Sequence, residues 1–177
     1  MPNVVYIAIS LDGFIADKQG KLDWLNTVPN PNENDFGYSK FVDSIDAIVM
    51  GRVTFETVLG FGIEWPYKKT VFVLSNTLKK VPEELIEKVQ IVNGPLKTVL
   101  KNLNQKSFNN LYIDGGSTIQ SFLQEGLIDE MVITTIPILL GGGVPLFGDL
   151  PNHIQLELKN SKVFLGSIVQ NNYIIKN

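Results

Sequence analysis

The chain has 177 residues, 44% of them hydrophobic and 19% charged, with a net charge of −3. This is enough for one domain over residues 1–177 with a core that needs no covalent staples. Its lysines form no run beyond pairs such as Lys68-Lys69 and Lys79-Lys80, so a clustered basic face for nucleic acid is not expected.

No apolar stretch approaches the roughly 20 residues that span a bilayer, so no membrane partner is expected. The opening MPNVVYIAIS reads as a first strand and not as a signal peptide, having neither a basic region nor a small-residue cleavage site. The absence of cysteine excludes disulfides and thiolate metal sites, which fits the cytoplasm. A single histidine, His153, argues against histidine-based metal sites and serine-histidine triads, and no metal is expected. Arg52 is the only arginine, so any anion must be held by this residue, by backbone amides and by hydroxyls.

In chain order, Val4 to Ile9 is a continuous apolar run of the kind buried on both faces of a sheet. Asp12-Gly13 breaks it, a polar loop follows, and Phe36 to Ser44 is read as a short helix with Phe36 and Phe41 inward. Asp46 to Met50, Thr70 to Leu74 and Val89 to Val92 are the next strands. Pro82-Glu83-Glu84 has the chemistry of a first helical turn. Leu96, Val99, Leu100 and Leu103 form a helical stripe, and Leu111 to Ile113 is the fifth strand. Ile119, Phe122 and Leu123 give a second helical stripe, stopped by Gly126 in a left-handed cap. Met131 to Leu140 is read as the sixth strand, and Gln155 to Phe164 with Ser167 to Ile175 as an antiparallel pair. The order predicts an α/β fold: a mixed, mostly parallel sheet with helices on its faces and an antiparallel C-terminal hairpin.

Ligands of open α/β sheets sit beyond the carboxyl ends of the strands. Four unusual stretches fall there: Ser10 to Gly13, Gly51 to Thr54, Leu74 to Asn76, and Asp114 to Ser117. Gly115-Gly116 either admits a phosphate to the amides of Ser117 and Thr118 or makes a tight strand-to-helix turn. Arg52 offers a rigid fork for a phosphate, or is a surface arginine beside a capping Thr54. Gly141, Gly142 and Gly143 close the sixth strand, and mark either a wide turn or a place where something lies against the backbone.

Together these motifs resemble the dihydrofolate reductase superfamily. Ser10-Leu11-Asp12-Gly13-Phe14-Ile15-Ala16 matches its first-strand loop, and Met50-Gly51-Arg52-Val53-Thr54-Phe55-Glu56 with Gly60 its MGRxTxE…G signature. Val73-Leu74-Ser75 and Ile113-Asp114-Gly115-Gly116 match its remaining nucleotide motifs. Leu127 to Phe147 is similar to the reductase domain of riboflavin biosynthesis. The resemblance implies a three-layer, eight-stranded fold binding NADPH. Ala8 and Ile15 would touch the nicotinamide, and Gly115, Gly116, Ser117 and Thr118 would hold the pyrophosphate. Arg52, Val53, Thr54, Ser75 and Asn76 would grip the adenosine half, with Arg52 and Ser75 on its 2′-phosphate, and Gly51 and Leu74 would also belong to the cofactor site. It also implies a homodimer through the C-terminal strands.

The helix acid of true dihydrofolate reductases aligns with Gly37, which leaves Asp35 nearby as the candidate for proton delivery. Trp24, Phe36 and Gly141 to Gly143 are the expected substrate side. The reading is an NADPH-dependent reductase of a small pterin- or pyrimidinone-like heterocycle. The alternatives are a non-catalytic nucleotide-binding module and a genuine dihydrofolate or riboflavin-pathway reductase.

Overall fold

The computed structural model describes residues 2–176. Six parallel strands form the body of the sheet: β1 (Asn3–Ser10), β3 (Ala47–Gly51), β4 (Thr70–Leu74), β5 (Val89–Val92), β6 (Leu111–Asp114) and β7 (Glu130–Ile136). β9 (Leu156–Phe164) and β10 (Ile168–Ile175) complete it as an antiparallel hairpin, in the order β5-β4-β3-β6-β1-β7-β10-β9. The central strands are β-branched runs buried on both faces, which only a doubly covered parallel sheet allows.

One face carries α3 (Leu96–Gln105) and α4 (Gly116–Gln124), whose Val99, Leu103, Ile119 and Phe122 pack on Val5, Val49, Phe72 and Ile113. The other carries α1 (Tyr38–Ser44) and α2 (Arg52–Gly60), where Phe41 and Phe55 pack around Ile48, Met50, Val71 and Tyr112. Gly126 stops α4 at φ +65, and Leu127 donates back to the Phe122 carbonyl at 2.8 Å, as a left-handed cap requires.

Four elements depart from the sequence reading. The sixth strand ends at Ile136 and not Leu140, because Pro137 has no amide to continue the ladder. The first helix begins at Tyr38, since Phe36 (φ 56) and Gly37 (φ 93) are left-handed. Pro82 opens only a single 3-10 turn, Glu83–Leu85. A small second sheet, β2 (Phe14–Ala16) with β8 (Val144–Pro145), joins the first loop to the segment after the triple glycine.

Strand β9 is exposed along almost its whole length. By its register with β10, Leu156 faces Ile175, Leu158 faces Tyr173 and Val163 faces Val169. Cross-strand partners share a face, so these six side chains lie on one face of the hairpin; Tyr173 and Ile175 pack against the core, while Leu156, Leu158 and Val163 are exposed.

Candidate active site

At the carboxyl ends of the parallel strands lies a cavity of about 750 Å³. Ala8, Ile15, Gly51, Arg52, Val53, Thr54, Leu74, Ser75, Asn76, Gly115, Gly116, Ser117 and Thr118 all line it. Two helices open onto it side by side, α2 after β3 and α4 after β6. Neither has a side-chain cap or an acidic residue in its first turn. The first-turn amides and the positive ends of both helix dipoles are thus left for an anion.

The glycines serve close packing between the two strand-to-helix turns. Gly115 holds φ +90, and a Cβ there would collide with the Thr54 hydroxyl; one on Gly51 would come within 2.8 Å of Thr118 Oγ1. A Cβ on Gly116 would meet the tip of Ile15 at 2.7 Å. Arg52 stands half-exposed at the rim, with Nη1 donating to Glu56 Oε1 at 3.0 Å one helical turn on. Ser75 Oγ accepts the Leu78 amide at 2.9 Å, which fixes the turn after β4.

The expected substrate-side residues are placed differently. Gly141, Gly142 and Gly143 do not line the cavity. A Cβ on Gly143 would run into the Ala16 carbonyl and one on Gly142 into the Lys18 side chain, so the backbone that Gly143 admits is the chain's own. Asp12 fixes this contact: its carboxylate takes hydrogen bonds from the Ser10 hydroxyl (2.6 Å) and from the amides of Leu140 (3.1 Å) and Gly141 (2.8 Å). The Ser10 hydroxyl, with help from those amides, holds that carboxyl below the usual range. Trp24 is buried against Ile136 and Ile168, and Phe36 stands edge-on to Phe164 at 5.3 Å. They build the layer packed against Ala8, not the cavity wall.

Asp35 does not meet its expected role. It is exposed and away from the cavity, and its carboxylate is committed to the amides of Gly37 (2.8 Å) and Ser39 (3.0 Å) at the start of α1. Hydrogen bonds from Ser39 and Gly37 hold its pKa down, the opposite of what a proton donor needs.

Further residues line the cavity beside these. Asn93 and Gly94 follow β5 and obey the same strand-end rule. Val58 of α2 lines the cleft together with Phe61 and Tyr67 of the loop that follows it. Asp114, the last residue of β6, lines the cavity with Tyr67 and is half-buried. Burial pushes its pKa up, and the Gly115 amide and the hydroxyls of Tyr112 and Tyr67 offset this in part. Burial likewise raises Tyr67, and Tyr38 to about 12.

Comparison with known proteins agrees with this geometry. The Bacillus subtilis protein YwjB is 38% identical over 173 residues, covering 97% of this chain and 96% of its own. The crystal structure of a Shewanella sp. PV-4 protein named for riboflavin biosynthesis superposes with a TM-score of 0.98 at 55% identity, covering 100% of both chains. Dihydrofolate reductase from Enterococcus faecalis shares the fold, with a TM-score of 0.69 at 19% identity over 99% of this chain and 97% of its own. The profile of the RibD C-terminal domain family matches residues 4–169. The chain belongs to the RibD C-terminal domain family, a family of reductase domains built on the dihydrofolate reductase fold.

Proposed function

We propose that this protein is an NADPH-dependent reductase that adds hydride to a C=N or C=O bond of a small pterin- or pyrimidinone-like heterocycle. The carrying observation is that the residues matching the nucleotide motifs, drawn from five separate segments, line one cavity onto which two uncapped helix N-termini open. The Enterococcus faecalis enzyme of the same fold was crystallised with NADP(H).

The residues present fit such a cofactor. The amides of Gly116, Ser117 and Thr118 would take the pyrophosphate, and Arg52 with the Ser75 hydroxyl the 2′-phosphate. The exposed Arg52–Glu56 pair is worth only about 0.5 kcal/mol, less than a charge-assisted bond to phosphate, so the guanidinium is free to exchange partners. Ala8 and Ile15 would pack on the nicotinamide, which supplies the hydride when bound. The protein's own work is orientation and the exclusion of water. We further propose that it acts in the cytoplasm as a homodimer, a reading supported by the cysteine-free sequence and by the exposed apolar side chains Leu156, Leu158 and Val163 of β9. Among the described residues no helix is long and apolar enough to cross a membrane.

The test is a melting curve with and without millimolar NADPH or NADH, followed by NADPH oxidation with 7,8-dihydropterin, pyrimidinone and quinone acceptors. NADPH is expected to raise the melting temperature. Arg52→Ala should weaken NADPH by roughly 1.5–3 kcal/mol and NADH far less. An unmoved melting curve would overturn the cleft assignment, and equal losses for both cofactors would overturn the role of Arg52. Binding without oxidation by any acceptor would leave a nucleotide-binding module.

A further inference from the structure

The cleft changes character along the sheet. β5 and β4 stand at one end of it, β3 and β6 in the middle, and β1 at the other end. The β5–β4 end is polar: Asn93 follows β5, Ser75 and Asn76 follow β4, and Arg52 opens α2 beside them. The β1 end is apolar, walled by Ala8 of β1, Ile15 of β2, Val144 of β8, and two leucines, Leu22 and Leu25.

The two leucines owe their placement to backbone geometry. Asp23–Asn26 is a 3-10 turn entered from Leu22, whose carbonyl accepts the Leu25 amide at 3.0 Å. With three residues per turn, side chains three apart stand one above the other. Leu22 and Leu25 therefore share a face, and both line the cavity. Trp24 between them packs the other way, against Ile136 and Ile168, while Asp23 and Asn26 are exposed. Ala8 and Leu25 pack against that same cluster. A Cβ on Gly116 would meet Ile15 at 2.7 Å and Val144 at 3.8 Å. The leucine face thus adjoins the place assigned above to the nicotinamide.

No positive charge serves this end. Among the described residues that line the cavity the one cation is Arg52, which stands at the other end and is turned to Glu56. Asp114, on the strand between, is an acid. Lys18 and Lys21 are near in sequence, but neither lines the cavity: the Lys18 side chain lies against Gly142, and Lys21 is exposed. The two uncapped helix N-termini are taken by the cofactor's phosphates in the reductase reading. An anionic group on the acceptor would be buried among aliphatic side chains without a partner, a strongly unfavourable placement.

We propose that the acceptor of this reductase is an uncharged, phosphate-free ring, selected by the Leu22–Leu25 face of the 3-10 turn. The cleft divides its work by polarity. Its cationic and amide-lined part holds the phosphates of the cofactor, and its apolar end holds a flat neutral ring against the nicotinamide. A phosphorylated acceptor would find the only phosphate cradle already filled.

This proposal rests on the reductase reading, and the experiment separates the two. Each ring of the acceptor panel is assayed with saturating NADPH, once bare and once carrying a phosphorylated side chain. The bare ring is expected to show a kcat/KM about 100-fold or more above its phosphorylated partner. Leu22→Ala should raise the KM of the bare ring about tenfold, while NADPH affinity stays within roughly twofold of wild type. Leu22→Met restores the apolar surface and should keep that KM within about threefold of wild type. Between about 0.01 and 1 M salt the screening length shrinks from roughly 30 to 3 Å, so the KM of NADPH should rise several-fold and that of the ring should not rise.

A phosphorylated partner that matches or outruns the bare ring overturns the proposed acceptor class and leaves the reductase reading standing. An acceptor KM that climbs with salt overturns it as well, and one unmoved by Leu22→Ala overturns the role of the turn. A wild type that binds NADPH and reduces no ring, bare or phosphorylated, overturns the reductase reading, and this acceptor class with it.

Discussion

Gly115 shows how one atom sets the geometry of the cleft. Its Cα lies against Thr54, so β3–α2 and β6–α4 approach closely enough for both helix N-termini to face one cavity. Alanine here carries two penalties, a backbone at φ +90 and a collision with the Thr54 side chain. We expect Gly115→Ala to cost about 2–4 kcal/mol in chemical denaturation, combining left-handed strain with overpacking. Thr54→Ala in the same chain should recover the steric part and leave the backbone part, a coupling that a double-mutant cycle measures. Gly116 differs, because the atom its Cβ would meet is the mobile tip of Ile15 and φ there is unstrained, so Gly116→Ala should cost less. Strictly additive Gly115 and Thr54 variants would mean that the contact does not set the spacing.

At the scale of elements, the strands were the most readable part of the chain. Thr70–Leu74 and Val89–Val92 fall where the apolar runs place them, and α3 follows its stripe of Leu96, Val99, Leu100 and Leu103. The start of α1 was not readable, since the Asp35 carboxylate and two left-handed residues set it. The pairing of β2 with β8 is too short to leave any periodicity in the sequence. In the site, Arg52 and the glycine pair announce themselves as rare residues at strand ends. The character of Asp114 does not, because Tyr38 and Tyr67 reach it from two distant segments.

Strand β9 raises a separate question at this scale. Alternating apolar and polar residues are the pattern of a strand with one buried face, yet Leu158 and Val163 are 54% and 64% exposed. The ladder is broken by a bulge between Asn172 and Tyr173 of β10, and Lys159 and Lys162 lie along the outer edge. Both features discourage edge-to-edge pairing, so the proposed dimer is expected to form through the exposed apolar side chains of β9. Leu158→Glu with Val163→Glu should fold normally, since neither side chain is in the protomer core. It should weaken a dimer by 100-fold or more, given roughly 1.5–3 kcal/mol for each buried aliphatic side chain. Light scattering after size exclusion reads the result, and a wild type that elutes as a monomer would dismiss the dimer.

For the whole molecule, the carboxylates divide into two groups with opposite linkage to folding. Asp46 takes the amides of Asn109 and Asn110, both at 2.8 Å, at the amino end of the sheet, and these bonds hold its pKa down. Asp12 and Asp35 are lowered in the same way. A lowered carboxyl contributes stability that is complete above its unfolded value, near 3.9 by the usual reference, and is lost as pH falls through its folded value. Asp114 is raised, so the sign reverses. Between its unfolded and folded values the native state binds more protons than the unfolded chain, and stability drops as pH climbs through that window. Above the window the cost of burying an ionised carboxylate remains in full. Removing the ionisation should therefore stabilise the fold. Asp114→Asn keeps an acceptor for the Gly115 amide and should melt higher than wild type at neutral and alkaline pH. The two curves should converge as pH falls below the unfolded value. A variant that melts lower than wild type at neutral pH would show instead that the Asp114 charge supports the fold.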